Sequence, residues 1–287
     1  MTNKEIDTTI DEAVILLGGM GSRMLPYTKT VSKEMLPIYD VPNIFLIVKE
    51  AYLSGIKKII FVVTEHNVDL IKKFFSNDSY LNEFLKDKPE KLAKLNAINE
   101  IINNMEFTYV YQEMLGTYGA LYSAKDYLKH DNFIVMYGDD LIDSPTPLTS
   151  QLIESFKKNN MQQVAVNENM QNIPNVGIAV ASDKNTLINL VPKNETSSRR
   201  VVHGRMLLNK KIFSIKDTIK KHNDNEYYLP YELLNFSDVY LYSYKGNYFN
   251  IGEKTGFIKA SIYYALKDNK EKDNLVHFIN NIKEDYG

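Results

Sequence analysis

The chain contains no cysteine and no tryptophan among its 287 residues. Without thiols it can form neither disulfides nor thiolate metal sites. Only 13 glycines and 9 prolines occur, too few for a low-complexity or disordered chain. Charge of either sign is not in excess: 34 Lys and Arg face 36 Asp and Glu, leaving a formal net charge of −2. That balance argues against a dedicated nucleic-acid binder, which needs a basic face. Long apolar runs are missing too. Stretches such as Ile59 to Val63 are far too short to span a bilayer. The start, MTNKEIDTTIDEA, lacks the basic and apolar segments of a secretory signal. The expectation is a cytoplasmic protein with neither nucleic acid nor membrane as partner.

What is present fits a soluble globular protein: 44% hydrophobic and 24% charged residues, with 20 Tyr and 13 Phe. The length allows one or two domains. Ala13 to Leu17 is wholly apolar and bounded by glycines, as in a strand buried on both faces. A glycine-punctuated polar stretch follows. Ile44, Ile47, Val48 and Ala51 then have helical spacing, with Pro42 at the start and Gly55 as a stop. Ile56–Thr64 reads as a second strand and Val68–Phe75 as a helix. Residues 76–105 form a helical excursion with Leu92, Leu95, Ile98, Ile101 and Ile102 on one face. Phe107–Gln112 (strand), Ala120–Leu128 (helix), Phe133–Tyr137 (strand), Leu148–Lys158 (helix) and Gln163–Val166 (strand) complete an alternating pattern. Beyond residue 170 the strands shorten: Val176–Ala181, Leu187–Val191, Val202–Leu208, Val239–Tyr244 and Tyr248–Ile251. Helices are expected at about 209–221, 228–235, 253–267 and 271–283. The absence of linkers and repeats favours one α/β domain whose second half adds a mixed lobe.

Three segments could carry chemistry. Gly18-Gly19-Met20-Gly21-Ser22-Arg23 follows a strand. Its glycines allow backbone N–H groups to approach phosphate, and Arg23, Lys29 and Lys33 supply cations. Alone, it equally suits a basic turn, and it is neither a Walker A loop nor a dinucleotide fingerprint. Asp139-Asp140 closes a buried strand, where two carboxylates can hold a hard cation or merely cap a turn. Gln112 to Gly119 reads as a loop in which Gln112 could meet a base edge. The five histidines lack ligand spacing and read as surface or packing residues, and Tyr227-Tyr228 as rim packing that could line a pocket.

Together these segments resemble the nucleotide-sugar pyrophosphorylases, a nucleotidyltransferase family. The resemblance rests on Gly19-x-Gly21-x-Arg23-x-Leu25-Pro26-x-Thr28-Lys29, Lys33-Glu34-Met35-Leu36-Pro37-Ile38, Gln112, Gly116, Gly138-Asp139-Asp140, Gly177-Ile178, Gly204-Arg205 and Ile251-Gly252-Glu253-Lys254-x-Gly256-Phe257. It spans about residues 12–283. It implies a Rossmann-like mixed, mostly parallel sheet flanked by helices, a smaller sugar-side lobe and C-terminal helices. A single domain over 1–287 would comprise a nucleotide half (about 12–170), a sugar half (about 171–252) and terminal helices (253–287). The activity implied is uridylyl transfer from UTP to a sugar 1-phosphate, glucose 1-phosphate first, with Mg2+ as cofactor and self-association into dimers or tetramers. By resemblance, Gly18, Gly19, Gly21 and Arg23 hold the UTP phosphates and Lys33 neutralises developing charge. Gln112 and Gly116 read uracil, Gly177 touches the sugar and Lys193 its phosphate, and Asp139 and Asn250 bind the metal.

The sequence departs from the family pattern on the sugar and metal side. Asn250 stands where the family has a metal-binding Asp, and Pro192 where it has a Glu that bonds sugar hydroxyls. Leu17-Gly18 replaces Ala-Ala, the Gln loop is one residue short with Tyr118-Gly119 for Gly-His, and residues 226–231 read Glu-Tyr-Tyr-Leu-Pro-Tyr. These changes leave two alternatives open: a different sugar 1-phosphate, or a paralogue that binds nucleotide without turnover.

Overall fold

The computed structural model describes residues 8–170, 177–219, 221–222 and 225–286. In chain order it contains β1 (Glu12–Leu16), a small hairpin β2 (Pro37–Ile38) and β3 (Val41–Pro42), α1 (Asn43–Leu53), β4 (Lys58–Val63) and α2 (Val68–Phe74). Next come α3 (Ser79–Leu85), α4 (Pro89–Asn103), β5 (Glu106–Tyr111), α5 (Gly116–Ser123), β6 (Asn132–Tyr137), β7 (Asp140–Asp143), α6 (Leu148–Asn159) and β8 (Gln162–Asn167). The remainder is β9 (Ile178–Ala181), β10 (Leu187–Val191), β11 (Arg200–Asn209), α7 (Leu229–Glu232), β12 (Val239–Ser243), β13 (Asn247–Asn250), α8 (Lys254–Ala265) and α9 (Lys272–Tyr286).

Strand β1 is apolar on both faces because both faces are covered. Ala13, Ile15 and Leu17 enter one core with α1, α2 and α6, while Val14 and Leu16 enter a second core with Tyr118, Ala120 and Leu121 of α5. The main sheet runs β10-β9-β11-β6-β1-β4-β5, with β8 pairing β11 and β12 pairing β8. Strands β6, β1, β4 and β5 are mutually parallel, whereas β11 lies antiparallel to β6, β8 and β9. The expected α/β, Rossmann-like mixed sheet flanked by helices is therefore present. Sequence order reverses between β1 and β6, because the chain leaves β1 toward β4 and later returns to its other side. Such a switch point opens a crevice at the carboxyl ends of the strands.

Some elements differ from expectation. Asp140 does not close a turn but starts β7, which pairs with β13 so that Asn250 stands opposite Asp140. The segment after Gln112 is not a loop throughout: α5 begins at Gly116, held by Tyr118 N–H donating to Tyr227 O at 2.9 Å. It ends at Ser123 rather than Leu128, a 3-10 turn over Lys125–Tyr127 following. The helix expected at 209–221 is a 3-10 stretch over Lys210–Ile215, started by the Asn209 side chain accepting from Lys211 N–H. Only Ile212 of it is fully buried, too little apolar face to sustain a longer α-helix. Val176 and Lys220 lie outside the described residues.

A buried ion pair ties the helical layer to the sheet. Arg205 of β11 is fully buried and its Nη2 donates to Glu50 Oε2 at 3.0 Å. Glu50 Oε1 also accepts from Thr149 N–H and Oγ1, at 3.1 and 2.8 Å. Removing one partner strands the other charge in the core. Glu50→Ala is expected to cost about 3–5 kcal/mol, read as a lowered urea midpoint.

Candidate active site

The site grows from the ends of β1 and β6. Asn67 Nδ2 donates to Leu17 O at 2.7 Å, and Asn43 Nδ2 donates to Gly138 O at 2.7 Å. These buried amides, from the starts of α2 and α1, fix the two chain segments where the sheet stops. A Cβ on Gly138 would stand 2.3 Å from Leu17 Cδ2 and 3.0 Å from Leu16 O, so a larger residue would displace the buried Leu17 side chain. Beyond β1, Gly21 takes a left-handed conformation (φ 65°) and its carbonyl accepts from Thr28 Oγ1 at 2.8 Å. Met24, fully buried, anchors the loop, while Arg23 remains exposed.

Lys33 crosses from this loop to the end of β6, its Nζ 2.6 Å from Asp139 Oδ2 and 3.9 Å from Glu34 Oε1. Burial alone would discharge Lys33, but the Asp139 and Glu34 carboxylates outweigh it and hold the amine above its ordinary pKa. Burial likewise works against the Asp139 anion, and the Lys33 charge and hydrogen bond overcome it, so Asp139 stays below the usual range. Glu34 is 0% exposed, and neither of its oxygens has a hydrogen-bond partner. Burial pushes its pKa up to about 7, with Lys33 resisting. Asp140 rises to about 6 through burial and the adjacent Asp139. Its oxygens are already engaged, by Gly204 N–H at 2.6 Å and Tyr248 Oη at 2.8 Å.

Asp139, Asp140, Arg23, Gly177, Asn250 and Glu253 line one cavity of about 700 Å³. Tyr137, Tyr228, Tyr231, Tyr248 and His203 form much of its wall. His203 is buried and stacks on Tyr248 with ring centroids 3.8 Å apart. Burial, then Arg205, lowers its pKa to about 3, so it stays neutral. At one end of the cavity, Asp139 Oδ2, Arg23 Nη2 and Asn250 Oδ1 lie 2.9, 3.1 and 3.1 Å from the point a Cβ on Gly252 would occupy. A larger residue at 252 would fill the space they share.

The remaining expected residues, Gly18, Gly19, Gln112, Gly116 and Lys193, are not among those lining this cavity. Gly18 makes room for Gln112, whose Oε1 would sit 1.5 Å from a Gly18 Cβ. Gln112 Nε2 donates to Met114 O at 2.7 Å, leaving Oε1 buried and unpartnered. Gly19 lies against Lys33, and Gly116 (φ 84°) lies against the Tyr227 backbone. Gly177 faces Tyr231 Oη. Lys193 sits on an exposed 3-10 turn and is not part of the cavity lining. Sequence reasoning gave no role to Glu34 or Glu253 and read His203, like the other histidines, as a surface or packing residue. Glu34 is betrayed only by its place beside Lys33 within an otherwise apolar stretch.

Asp139 and Asn250 offer a carboxylate oxygen and an amide oxygen here, donors of the kind a hard divalent cation takes, in a space shared with the Arg23 guanidinium. Among the described residues no group of three or more His, Asp or Glu forms a complete cage. Mg2+ is commonly held in that way, by one or two protein oxygens together with substrate phosphates.

Comparison with known proteins gives the family and the fold. The nucleotidyl transferase family model matches residues 12–266. The chain is 35% identical, over 96% of its length and 98% of the relative's, to UTP–glucose-1-phosphate uridylyltransferase 2 of Staphylococcus saprophyticus. It superposes on UTP-bound UGPase from Acinetobacter baumannii with a TM-score of 0.80 and 25% identity, covering 94% of this chain and 99% of that one. A UDP-glucose pyrophosphorylase complexed with UDP-glucose gives a TM-score of 0.80 and 28% identity over 90% of this chain and all of that one.

Glu34 supplies a pH test. Its folded pKa lies above the unfolded value, so the native state holds the extra proton and stability falls as pH rises from about 4.5 to about 7. Glu34→Gln removes that loss. Relative to wild type the variant should gain up to about 3 kcal/mol between pH 5 and pH 8 in denaturant titrations. A pH-independent difference would show that Glu34 is ionised throughout.

Proposed function

The chain belongs to the nucleotidyl transferase family, and from that premise we propose that it transfers the uridylyl group of UTP to glucose 1-phosphate, releasing pyrophosphate and forming UDP-glucose. The observation that carries the reading is the Lys33–Asp139 pair set beside Arg23 at the mouth of the switch-point crevice. A phosphate oxygen of the sugar phosphate attacks the α-phosphorus of UTP in line, and pyrophosphate departs. Such a reaction asks little covalent chemistry of the protein and depends on positioning and charge.

In this reading the N–H groups of Gly18, Gly19 and Gly21, with the Arg23 guanidinium, grip the polyphosphate. Lys33, held cationic by Asp139, stands next to the charge that builds on the transferred phosphoryl group. Gln112 Oε1, buried without a donor, accepts from uracil N3–H, while Gly116 lets the base approach the backbone. Gly177 bounds the sugar and Lys193 meets its phosphate from the rim. Asp139 and Asn250 would hold Mg2+, which neutralises phosphate charge when bound.

The proposal extends to the halves of the chain, with residues 12–170 serving the nucleotide, 171–252 the sugar, and 253–287 following as helices. It includes a homo-oligomer, dimer or tetramer, for which exposed Ile258 on α8 and Phe278 and Ile282 on α9 offer apolar contacts. A cytoplasmic setting accords with the described residues containing no helix long and apolar enough to cross a membrane.

Pyrophosphate release from UTP with a panel of sugar 1-phosphates tests the reading. Glucose 1-phosphate is expected to turn over best. Pro192, where the family has Glu, favours a second reading in which another sugar 1-phosphate leads the panel. Silence with every sugar, despite UTP binding, would leave the binding paralogue. Lys33→Ala should lower kcat by about 10²–10³-fold with UTP affinity changed far less. Asn250→Asp should tighten Mg2+ binding, measured by calorimetry with UTP present, because it adds a charged ligand.

A further inference from the structure

Two acids and two bases alternate across the cavity mouth. Lys33 holds Asp139, and Arg23 Nη1 donates to Glu253 Oε1 at 2.7 Å. Arg23 Nη2 lies about as close to the Gly252 Cβ position, 3.1 Å, as Asp139 Oδ2 and Asn250 Oδ1 do, at 2.9 and 3.1 Å. Asn250 is uncharged, and its Oδ1 already accepts from Gly252 N–H at 3.0 Å. Of the three acids lining the cavity, Asp140 has both oxygens engaged, by Gly204 and Tyr248. Glu253 is different. Its side chain is 51% exposed and its Arg23 partner 60% exposed, so the pair is weak and its geometry free to change. Its backbone is fixed, because Phe257 N–H donates to Glu253 O at 2.9 Å at the start of α8. Only the side chain needs to swing.

Resting on the uridylyl-transfer reading, we propose that Glu253 is the second carboxylate of the divalent-cation site and is stored on Arg23 until nucleotide arrives. The polyphosphate takes the Arg23 fork, which binds phosphate oxygens in pairs and more strongly than a solvated carboxylate. Glu253, released beside Asp139 and Asn250, then turns to the cation that accompanies the phosphates. The exchange leaves every cation on an anion at each stage. With Asn250 uncharged, Glu253 supplies the negative charge three positions further along the chain. Nucleotide and metal binding thereby become coupled through one carboxylate.

The test uses Mn2+ binding followed by electron paramagnetic resonance of the free ion. The full chain is studied with α,β-methylene-UTP, whose α–β bridge does not cleave. With the analogue bound, Glu253→Gln should weaken Mn2+ binding about tenfold or more, since one charged ligand is lost. Adding Asn250→Asp to that variant should restore it. Without metal, Glu253→Gln should bind the analogue a few-fold more tightly by calorimetry, because Arg23 starts unengaged. Melting curves check that the exposed substitution leaves the fold intact. An Mn2+ affinity within about twofold of wild type, with analogue bound, would overturn the exchange. Failure of the wild-type chain to bind the analogue at all would instead overturn the uridylyl-transfer reading, and the exchange with it.

Discussion

The Lys33–Asp139 pair is the contact on which the site depends. It joins the glycine loop after β1 to the end of β6 across the switch point, at 2.6 Å. Each partner is unfavourable without the other. Burial would strip the proton from Lys33 and put one on Asp139, and their mutual attraction reverses both tendencies. Much of the surrounding fold serves to hold them in register. Asn43 and Asn67 pin the strand ends, Gly138 lets the two segments close, and Met24 anchors the loop from which Lys33 departs. The Glu34 carboxyl beneath the pair adds a group that can take or release a proton near neutrality.

The sheet was legible in the sequence where both its faces are buried. Ala13–Leu17, Ile59–Val63 and Phe133–Tyr137 are uninterrupted apolar runs, and only a strand covered on both sides tolerates that pattern. Helix α1 showed its 3.6-residue period through Ile44, Ile47, Val48 and Ala51. What stayed hidden was set by contacts between distant segments. Strand β7 begins at Asp140, a residue read as either a cation ligand or a turn cap, because β13 lies alongside it. Helix α5 starts at Gly116 because the Tyr227 backbone receives it, which no local propensity indicates. The 3-10 stretch at Lys210–Ile215 looked helical because its spacing of Ile212 and Ile215 fits either pitch.

The site was legible as motifs but not as a constellation. Arg23 and Asp139 were identifiable by their places after buried strands, Gly177 and Asn250 only through the family resemblance, and the four share one cavity. Lys193 stands outside that cavity's lining, on a turn between β10 and β11. The Arg23–Glu253 pair links residues from opposite ends of the chain, so no spacing rule reveals it. The tyrosine-rich wall likewise collects Tyr137, Tyr228, Tyr231 and Tyr248 from separate elements. In sequence they are only an abundance of tyrosine.

If Lys33 and Asp139 act as one device, their removal must not count twice. A double-mutant cycle with Lys33→Met and Asp139→Asn, read through kcat/KM for pyrophosphate release from UTP and glucose 1-phosphate, tests this directly. The account predicts strong coupling, with the double variant about as slow as the slower single variant. Losses that simply multiply would mean that the two residues act independently, and that the pair is not the organising contact of the site.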